Sequence, residues 1–579
     1  MADDLIVDSS ADPGMRRYPL SGTGHGPRRL TAALIIAAAC AGLFLLYLCQ
    51  SRAAPFNSDG AANVLQGQAI VTGNPLLRGW WTSDVSFYTT ELPEYALVTA
   101  VRGLSPDVVH LCGALTYTLT VLLAALVARG GRAGWFRAGI AAAIMLAPSI
   151  LGGTEVYLEY PDHAGTAVPV LLLFLILDQA GGRVGDPAGG RGIGRLLVPG
   201  AACVLLALAQ VGDELTLVAA TVPLAAVCAL RLLTARRPED GERRRAGPLP
   251  DGALLAAAVI SVGLAKLADV ILRALGGFDL RPLGGVALAP PHQVAANARL
   301  LWQSLILLFG ANNPGTPHQP QTIRAHVLLV SMADLHVIGL LLGGAGLAAG
   351  IASLLSRQAD RVTQFLVAAI IVMLAAGVCT TVLRSLSNAH EVAILLPLGA
   401  ALAGRVLPGA ARLRPAGPRP ARLRRIAPLA LGAWLAVSVA ELCYAAAWPA
   451  TPPPQRAVAA WLVSHHERAG LAGYWQAGAT TVTSGGQVLV APVILSATAE
   501  ASADHWESSA AWFQPGQRDA TFVIAETGQD APGGGLSPAA VRARFGPPAA
   551  QYQVGQDLIM LYRDNLLTRL RGAAFPGPR

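Results

Sequence analysis

The chain has 579 residues, 53% of them hydrophobic and only 13% charged, with a formal net charge of +8. Soluble domains carry about 25% charged residues, so this chain cannot cover its surface in water and needs lipid as a second solvent. Its arginines fall in short runs between apolar segments, at Arg129–Arg137, Arg231–Arg245 and Arg405–Arg425. That spacing excludes a basic nucleic-acid groove and reads as membrane topology.

Residues 1–29 are polar and rich in Gly, Pro and Arg, which predicts a disordered cytoplasmic tail. Leu30–Leu48 is the first apolar run of spanning length. Its long N-terminal tail argues against a cleaved signal peptide, an alternative that Ala53-Ala54 keeps open. Further spans centre on Leu111–Ala128, Gly139–Leu151, Ala167–Leu177, Leu196–Val211, Leu215–Leu232, Leu254–Leu275, Val327–Leu355, Phe365–Leu383, Val392–Val406 and Ile426–Ala446. The total is about eleven crossings. With Met1 inside, the inner loops collect the arginines, including Arg132, Arg183, Arg191, Arg236 and Arg357. The outer loops then collect the acids Asp59, Asp84, Glu91, Glu94, Glu155, Glu159, Asp162, Asp213, Glu214 and Glu391. The opposite orientation breaks the positive-inside bias at every loop.

The predicted fold is therefore a polytopic α-helical membrane protein, N-terminus in and C-terminus out. Two outer loops are long, at 50–106 and 276–325. The second carries a helical run Val294–Phe309 between Pro290-Pro291 and Asn312-Asn313-Pro314-Gly315. The membrane domain runs from 30 to 448, and Pro449–Pro454 forms a stiff linker. Residues 455–570 read as a small extracytoplasmic α/β domain, followed by a tail at 571–579. In it, Gln455–Arg468 is amphipathic with Val458, Trp461 and Leu462 inward. Val488–Val493, Ala520–Ala525 and Leu558–Tyr562 are strand-like, and Ser537-Pro538 opens a short helix to Phe545. The seven cysteines lie within or beside apolar segments, without a CxxC, and read as small core residues.

Chemistry concentrates on the outer side. Asp59 follows the first span closely, with Ala61, Ala62, Leu65 and Ala69 at helical spacing behind it. A carboxylate there is placed to act as general base on an acceptor hydroxyl, and fits the role of a plain helix N-cap as well. Gly73-Asn74-Pro75, Trp80-Trp81 and Pro93 complete the loop. The second concentration is Glu155-Val156-Tyr157-Leu158-Glu159-Tyr160-Pro161-Asp162-His163. Carboxylate with imidazole can hold a divalent ion such as Mg or Mn, and a solvated acidic loop is the plainer alternative. Arg384, shortly before His390-Glu391, can bind phosphate through its fork or simply reach from a helix end to the interface. Asp213-Glu214 sits in a tight turn that can face the same cavity. Lys266 and Asp269 stand at i,i+3 in the seventh span, with Asp334 and His336 in the eighth. Such charges mark either an intramembrane pathway or mutual neutralisation.

The order of first span, early outer Asp59, Gly73-Asn74-Pro75 turn, aromatics and Pro93 resembles the GT-C superfamily of membrane glycosyltransferases, most clearly over 30–180. The resemblance implies transfer of a sugar from a polyprenyl-phosphate carrier, with inversion, on the extracytoplasmic face of the cell membrane. It implies Asp59 as the catalytic acid–base residue, and Asp162 and His163 at a metal or the carrier phosphate. Arg384, Glu159 and His390 are then candidates for binding substrate or phosphate. The expected partners are membrane lipid, the lipid-linked sugar and an acceptor. Two other classes fit the same topology: a transporter or flippase working through Lys266, Asp269 and Asp334, and a non-catalytic envelope-assembly protein.

Overall fold

The structure is a computed structural model that describes residues 26–131, 134–150, 152–159, 162–182, 193–234, 250–281, 286–311, 323–410, 421–495, 500–528 and 535–571. The expected tail up to residue 25, Arg132, Tyr160-Pro161, Arg183, Arg191, the 236–245 arginine run and the Asn312–Gly315 turn lie outside those residues.

Among the described residues, seven helices are long and apolar enough to cross a membrane: 33–52, 107–129, 217–234, 251–274, 332–355, 361–379 and 426–446. A bent pair, Leu386–Val392 and Leu395–Gly409, makes an eighth if it counts as one span. Three shorter apolar helices, Trp135–Met145, Ala164–Ala180 and Leu197–Gly212, occupy other expected positions. The chain is a multi-pass membrane protein. Apolar side chains point outward where only lipid can receive them, as Leu34 (61% exposed) and Ile35 (64%) do on the first helix.

In chain order the helices of this part are α1 (Gly26–Arg52), α2 (Ser58–Val71), α3 (Leu92–Arg102), α4 (Asp107–Arg129), α5 (Trp135–Met145), α6 (Ala167–Gly182) and α7 (Ile193–Gly212). They continue as α8 (Val222–Thr234), α9 (Asp251–Ala274), α10 (Pro291–Leu308), α11 (Ile323–Leu355), α12 (Arg361–Cys379), α13 (Leu395–Ala410) and α14 (Ala421–Ala446). The central helix is α4, packed against α1, α5, α6 and α13. Small residues let helices meet, as is usual where lipid gives no hydrophobic drive between them. A Cβ on Gly346 would stand 2.7 Å from Ala403 Cα, so α11 and α13 touch backbone to backbone. The expected run Val294–Phe309 is α10, opened by Pro290-Pro291.

At one end of the bundle charged side chains neutralise one another in two ion-pair groups. Arg405, 7% exposed, donates to Asp178, to Asp360 and, at 2.8 Å, to Val127 O. Asp251 accepts from Arg231 at 3.1 Å and from Arg361 at 2.9 Å. The opposite end carries α2, α3 and the turns before α6 and after α7.

The C-terminal unit comprises α15 (Arg456–Ser464), β2 (Ala469–Ala472), α16 (Tyr474–Thr483), β3 (Leu489–Leu495), β4 (Ala501–Ala503), β6 (Phe522–Glu526), α17 (Pro538–Phe545), β7 (Ala550–Val554) and β8 (Asp557–Leu561). Its six-stranded sheet runs β4-β3-β2-β6-β8-β7, with β2 parallel to both neighbours and the remaining pairs antiparallel. Val458 and Leu462 of α15 are buried as the amphipathic pattern requires, and the Ser537 side chain caps α17. Strand β2 reads only Ala-Gly-Leu-Ala; Gly470 leaves the space in which the Phe522 ring lies.

A second, two-stranded sheet joins the halves. Strand β1 (Trp80–Trp81), in the loop after α2, pairs antiparallel with β5 (Ser508–Ser509) of the C-terminal unit. Trp81, 1% exposed, stacks on His505 at 4.0 Å, and Trp80 meets Trp512 edge-on at 5.1 Å.

Candidate active site

Asp59 stands in the second position of α2. The helix is capped by its neighbour: Asn57 has extended backbone and its Oδ1 accepts from Gly60 N at 3.0 Å. The capping role that Asp59 fitted by sequence is therefore taken, and its carboxylate is left for other partners. Asn57 Nδ2 donates to Asp59 Oδ2 at 3.1 Å and Tyr474 Oη lies 2.6 Å from Oδ1. Burial raises the carboxyl to about 7; the Tyr474 hydrogen bond lowers it in part, and the Asp162 charge raises it further.

The second group forms where three chain segments meet. His163 precedes a short 3₁₀ turn before α6, with a left-handed backbone at φ +50°. Its Nδ1 lies 3.0 Å from Asp213 Oδ2, in the turn after α7. Asp213 also accepts from Thr166 Oγ1 and, at 2.8 Å, from Leu215 N. An ionised carboxylate only accepts, so Nδ1 carries the proton and Nε2 faces the cluster. Nε2 is 3.5 Å from Glu391 and 3.9 Å from Asp162, and His390 Nε2 is likewise 3.9 Å from Asp162. The rings of His163 and His390 stand parallel, 5.6 Å apart. Burial alone would lower the His163 imidazole, but Asp213, Glu391 and Asp162 together hold it well above its usual value. The same pairing offsets burial at Asp213 and keeps that carboxyl below its usual range.

More acids face this group. Glu91, 3% exposed, is driven well up by burial, with the Asp213 and Asp162 charges adding to it. Asp84 is raised mainly by burial, against the His163 charge. Glu507 of the C-terminal unit, 6% exposed, is also driven well up, first by burial and then by Asp59. Among the described residues no arginine forms an ion pair with any of these acids. The left-handed region is costly for residues with a Cβ, and Phe87, His163 and Glu507 all occupy it here. The Phe87 ring meets His163 edge-on at 5.5 Å.

The sequence candidates separate accordingly. Asp59, Asp162, His163, His390, Glu391 and Asp213 come together. Glu214 turns away to Lys266, which is 60% exposed and 3.9 Å from Asp269. Glu159 ends a π-helical turn, Glu155–Glu159, raised to about 8 by burial and by Glu155, without a contact to the His163 group. Arg384 is exposed in the bend before the His390 turn. His336 pairs with Glu441 at 2.8 Å, a partner the sequence pattern does not mark. Tyr474 and Glu507 belong to no sequence motif: Tyr474 reaches Asp59 because α16 packs on α2, and Glu507 stands next to the β1–β5 pairing.

No protein-family model and no characterised protein sequence matches the chain. Solved structures do resemble it. ArnT from Cupriavidus metallidurans, bound to undecaprenyl phosphate, shares 12% identity over 94% of this chain and 99% of its own, with a TM-score of 0.49. The Archaeoglobus fulgidus oligosaccharyltransferase shares 14% identity over 84% of this chain and 69% of its own, TM-score 0.40. The arabinofuranosyltransferase AftD from Mycobacteria shares 16% identity over 91% of this chain and 40% of its own, TM-score 0.40. These neighbours are GT-C superfamily proteins. All three TM-scores lie below 0.5.

Proposed function

We propose that the chain is a glycosyltransferase that moves a sugar from a polyprenyl-phosphate carrier to an acceptor hydroxyl on the extracytoplasmic face of the cell membrane. The observation that carries this reading is Asp59: released from the capping role by Asn57, seven residues past the end of the first span at Arg52, part-exposed, and raised to about 7 mainly by burial. A general base works best with a pKa near the operating pH. Its ionised form would take the proton of the acceptor hydroxyl as that oxygen attacks the anomeric carbon. The carbon–oxygen bond to the carrier phosphate breaks on the opposite face, which inverts the sugar.

The Asp162–His163–His390 group fits a divalent ion. Its donor atoms lie within 4.8 Å of one another, and Asp162 stands 3.9 Å from each imidazole. Two donors at about 2.1 Å from one ion lie at most about 4.2 Å apart, so both Asp162–imidazole spacings suit one ion and any wider pair in the group would draw in on binding. Asp213 behind His163 Nδ1 gives the carboxylate–imidazole support that metal sites use. Two imidazoles favour Mn or a later metal over Mg, which prefers oxygen ligands. Such an ion, when bound, would neutralise phosphate charge beside a cluster otherwise rich in carboxylates. Arg384 is the proposed guanidinium for the same phosphate. Glu159, largely neutral at pH 7, would meet phosphate as a hydrogen-bond donor without charge repulsion.

The transport reading finds less support. Lys266 is exposed and paired with Glu214, and Asp334 is exposed as well, so neither lines a shared interior path. In cells lacking the gene, wild type should restore the glycan and clear the accumulated lipid-linked sugar. Asp59→Asn should insert and express normally yet restore neither, a loss of at least about 100-fold. Full restoration by Asp59→Asn removes the role given to Asp59.

A further inference from the structure

Asp59 is held by two groups from the far end of the sequence. Tyr474 opens α16, and its phenolic oxygen lies 2.6 Å from Asp59 Oδ1. The same oxygen is hydrogen-bonded to Glu507 Oε2. A phenol has one proton to donate and an ionised carboxylate has none. One tyrosine therefore satisfies two carboxyl groups only when one of them is protonated and donates to the phenolic oxygen. The row of three groups holds two protons.

The row is closed at one end and open at the other. Glu507 is 6% exposed, whereas Asp59 is only partly buried. Glu507 is brought into place by a left-handed backbone at φ +46°, which an L side chain ordinarily avoids. Around the row the two halves of the molecule are firmly joined. Ser58 Oγ donates to Trp475 O at 2.7 Å, and Gly478 of α16 faces Ala61 of α2.

Resting on the transferase reading, we infer that Tyr474 and Glu507 are positioning residues for Asp59: with the row's second proton on Glu507, the phenol O–H turns onto Asp59 Oδ1 and fixes an ionised carboxylate toward the acceptor. Burial acts in the direction this requires, raising Glu507 well above the carboxyl range and Asp59 to about 7. The other ionisable group facing both acids is Asp162, whose charge raises each. In the transfer step the acceptor oxygen bonds to the anomeric carbon and the carrier phosphate leaves with the electron pair. The hydroxyl proton passes to Asp59, which later returns it to water through its open side. Tyr474 and Glu507 neither gain nor lose a proton.

Infrared spectra of the full-length protein in detergent test the row without any substrate. At neutral pH, wild type minus Glu507→Gln should show the carbonyl band of a protonated carboxylic acid. Tyr474→Phe, which keeps the ring and removes the hydroxyl, should shift that band. In cells lacking the gene, Tyr474→Phe should restore product at least about tenfold less well than wild type, and adding Glu507→Gln should cost little more, because the two act as one unit. Absence of the band, or a band unmoved by Tyr474→Phe, overturns the inference even if Asp59→Asn is inactive. A Tyr474-dependent band together with a fully active Asp59→Asn upholds the shared proton and removes the transferase reading instead. Should Glu507→Gln not fold, the band shift in Tyr474→Phe decides alone.

Discussion

Asp59 carries a cost in stability that follows from the position proposed to make it useful. An ordinary aspartate near 3.8 is raised to about 7 in the folded protein. Between those values folding takes up a proton, so the contribution of this group to stability is complete below about pH 4 and is lost as pH rises through 7. The full swing is at most on the order of 4 kcal/mol, and sharing with Glu507 reduces it. Asn at this position keeps the Tyr474 and Asn57 hydrogen bonds without the charge. Thermal melts of Asp59→Asn from pH 4 to pH 8 should accordingly fall less steeply than those of wild type, with a midpoint at pH 8 equal to or above it. Parallel slopes would show that the folded carboxyl titrates normally.

At the scale of elements, the approach of α4 to the Glu155–Glu159 turn sets the place of Asp162 and His163. Gly113 lies directly on the Leu158 backbone; a Cβ there would overlap the carbonyl oxygen and stand 3.0 Å from its carbon. That carbonyl accepts from Ser51 Oγ, so α1, α4 and the turn meet at one point. Gly113→Ala should destabilise the protein by about 1–3 kcal/mol and weaken Mn binding, read by titration of the purified protein. Gly344→Ala, where nothing lies within 4 Å, serves as the neutral comparison. Unchanged Mn affinity in a Gly113→Ala protein of lowered stability would separate the turn from the metal site.

Much at this scale is legible in the sequence. Apolar runs and arginine placement mark the spans, and Ser537-Pro538 marks α17, because each signal is local. The acids before α6 and after α7 stand out because acids are rare in such a chain. Asn57 rather than Asp59 as the cap was not legible, since either residue satisfies the capping rule. Strand β2 lacks the β-branched residues that announce a strand, being placed by its parallel neighbours. Glu507 is not legible by pattern because the two-residue strand beside it has no periodicity, and Tyr474 because its place depends on the packing of α16 against α2, far away in sequence.

For the whole molecule, orientation has a direct test. Arg405, Arg231 and Arg361 neutralise acids at one end, and the candidate site occupies the other. The positive-inside bias predicts that the arginine end is cytoplasmic. A reporter that is active only outside the cytoplasm should therefore work when fused after residue 571, and one that fluoresces only inside should stay dark. The reverse result would put the site on the cytoplasmic face and remove an extracytoplasmic acceptor.

The β1–β5 pairing also has a consequence in time. Asp59 and Tyr474 are 415 residues apart, so the chain emerges with its proposed base long before the residues that orient it. Throughout membrane insertion Trp80 and Trp81 lack their strand partner, and Asp59 lacks its phenol. A chain truncated between Ala446 and Ser508 has every described membrane helix and lacks the β1–β5 pairing. On the proposed transferase reading, the inserted bundle becomes competent only when the last domain has folded.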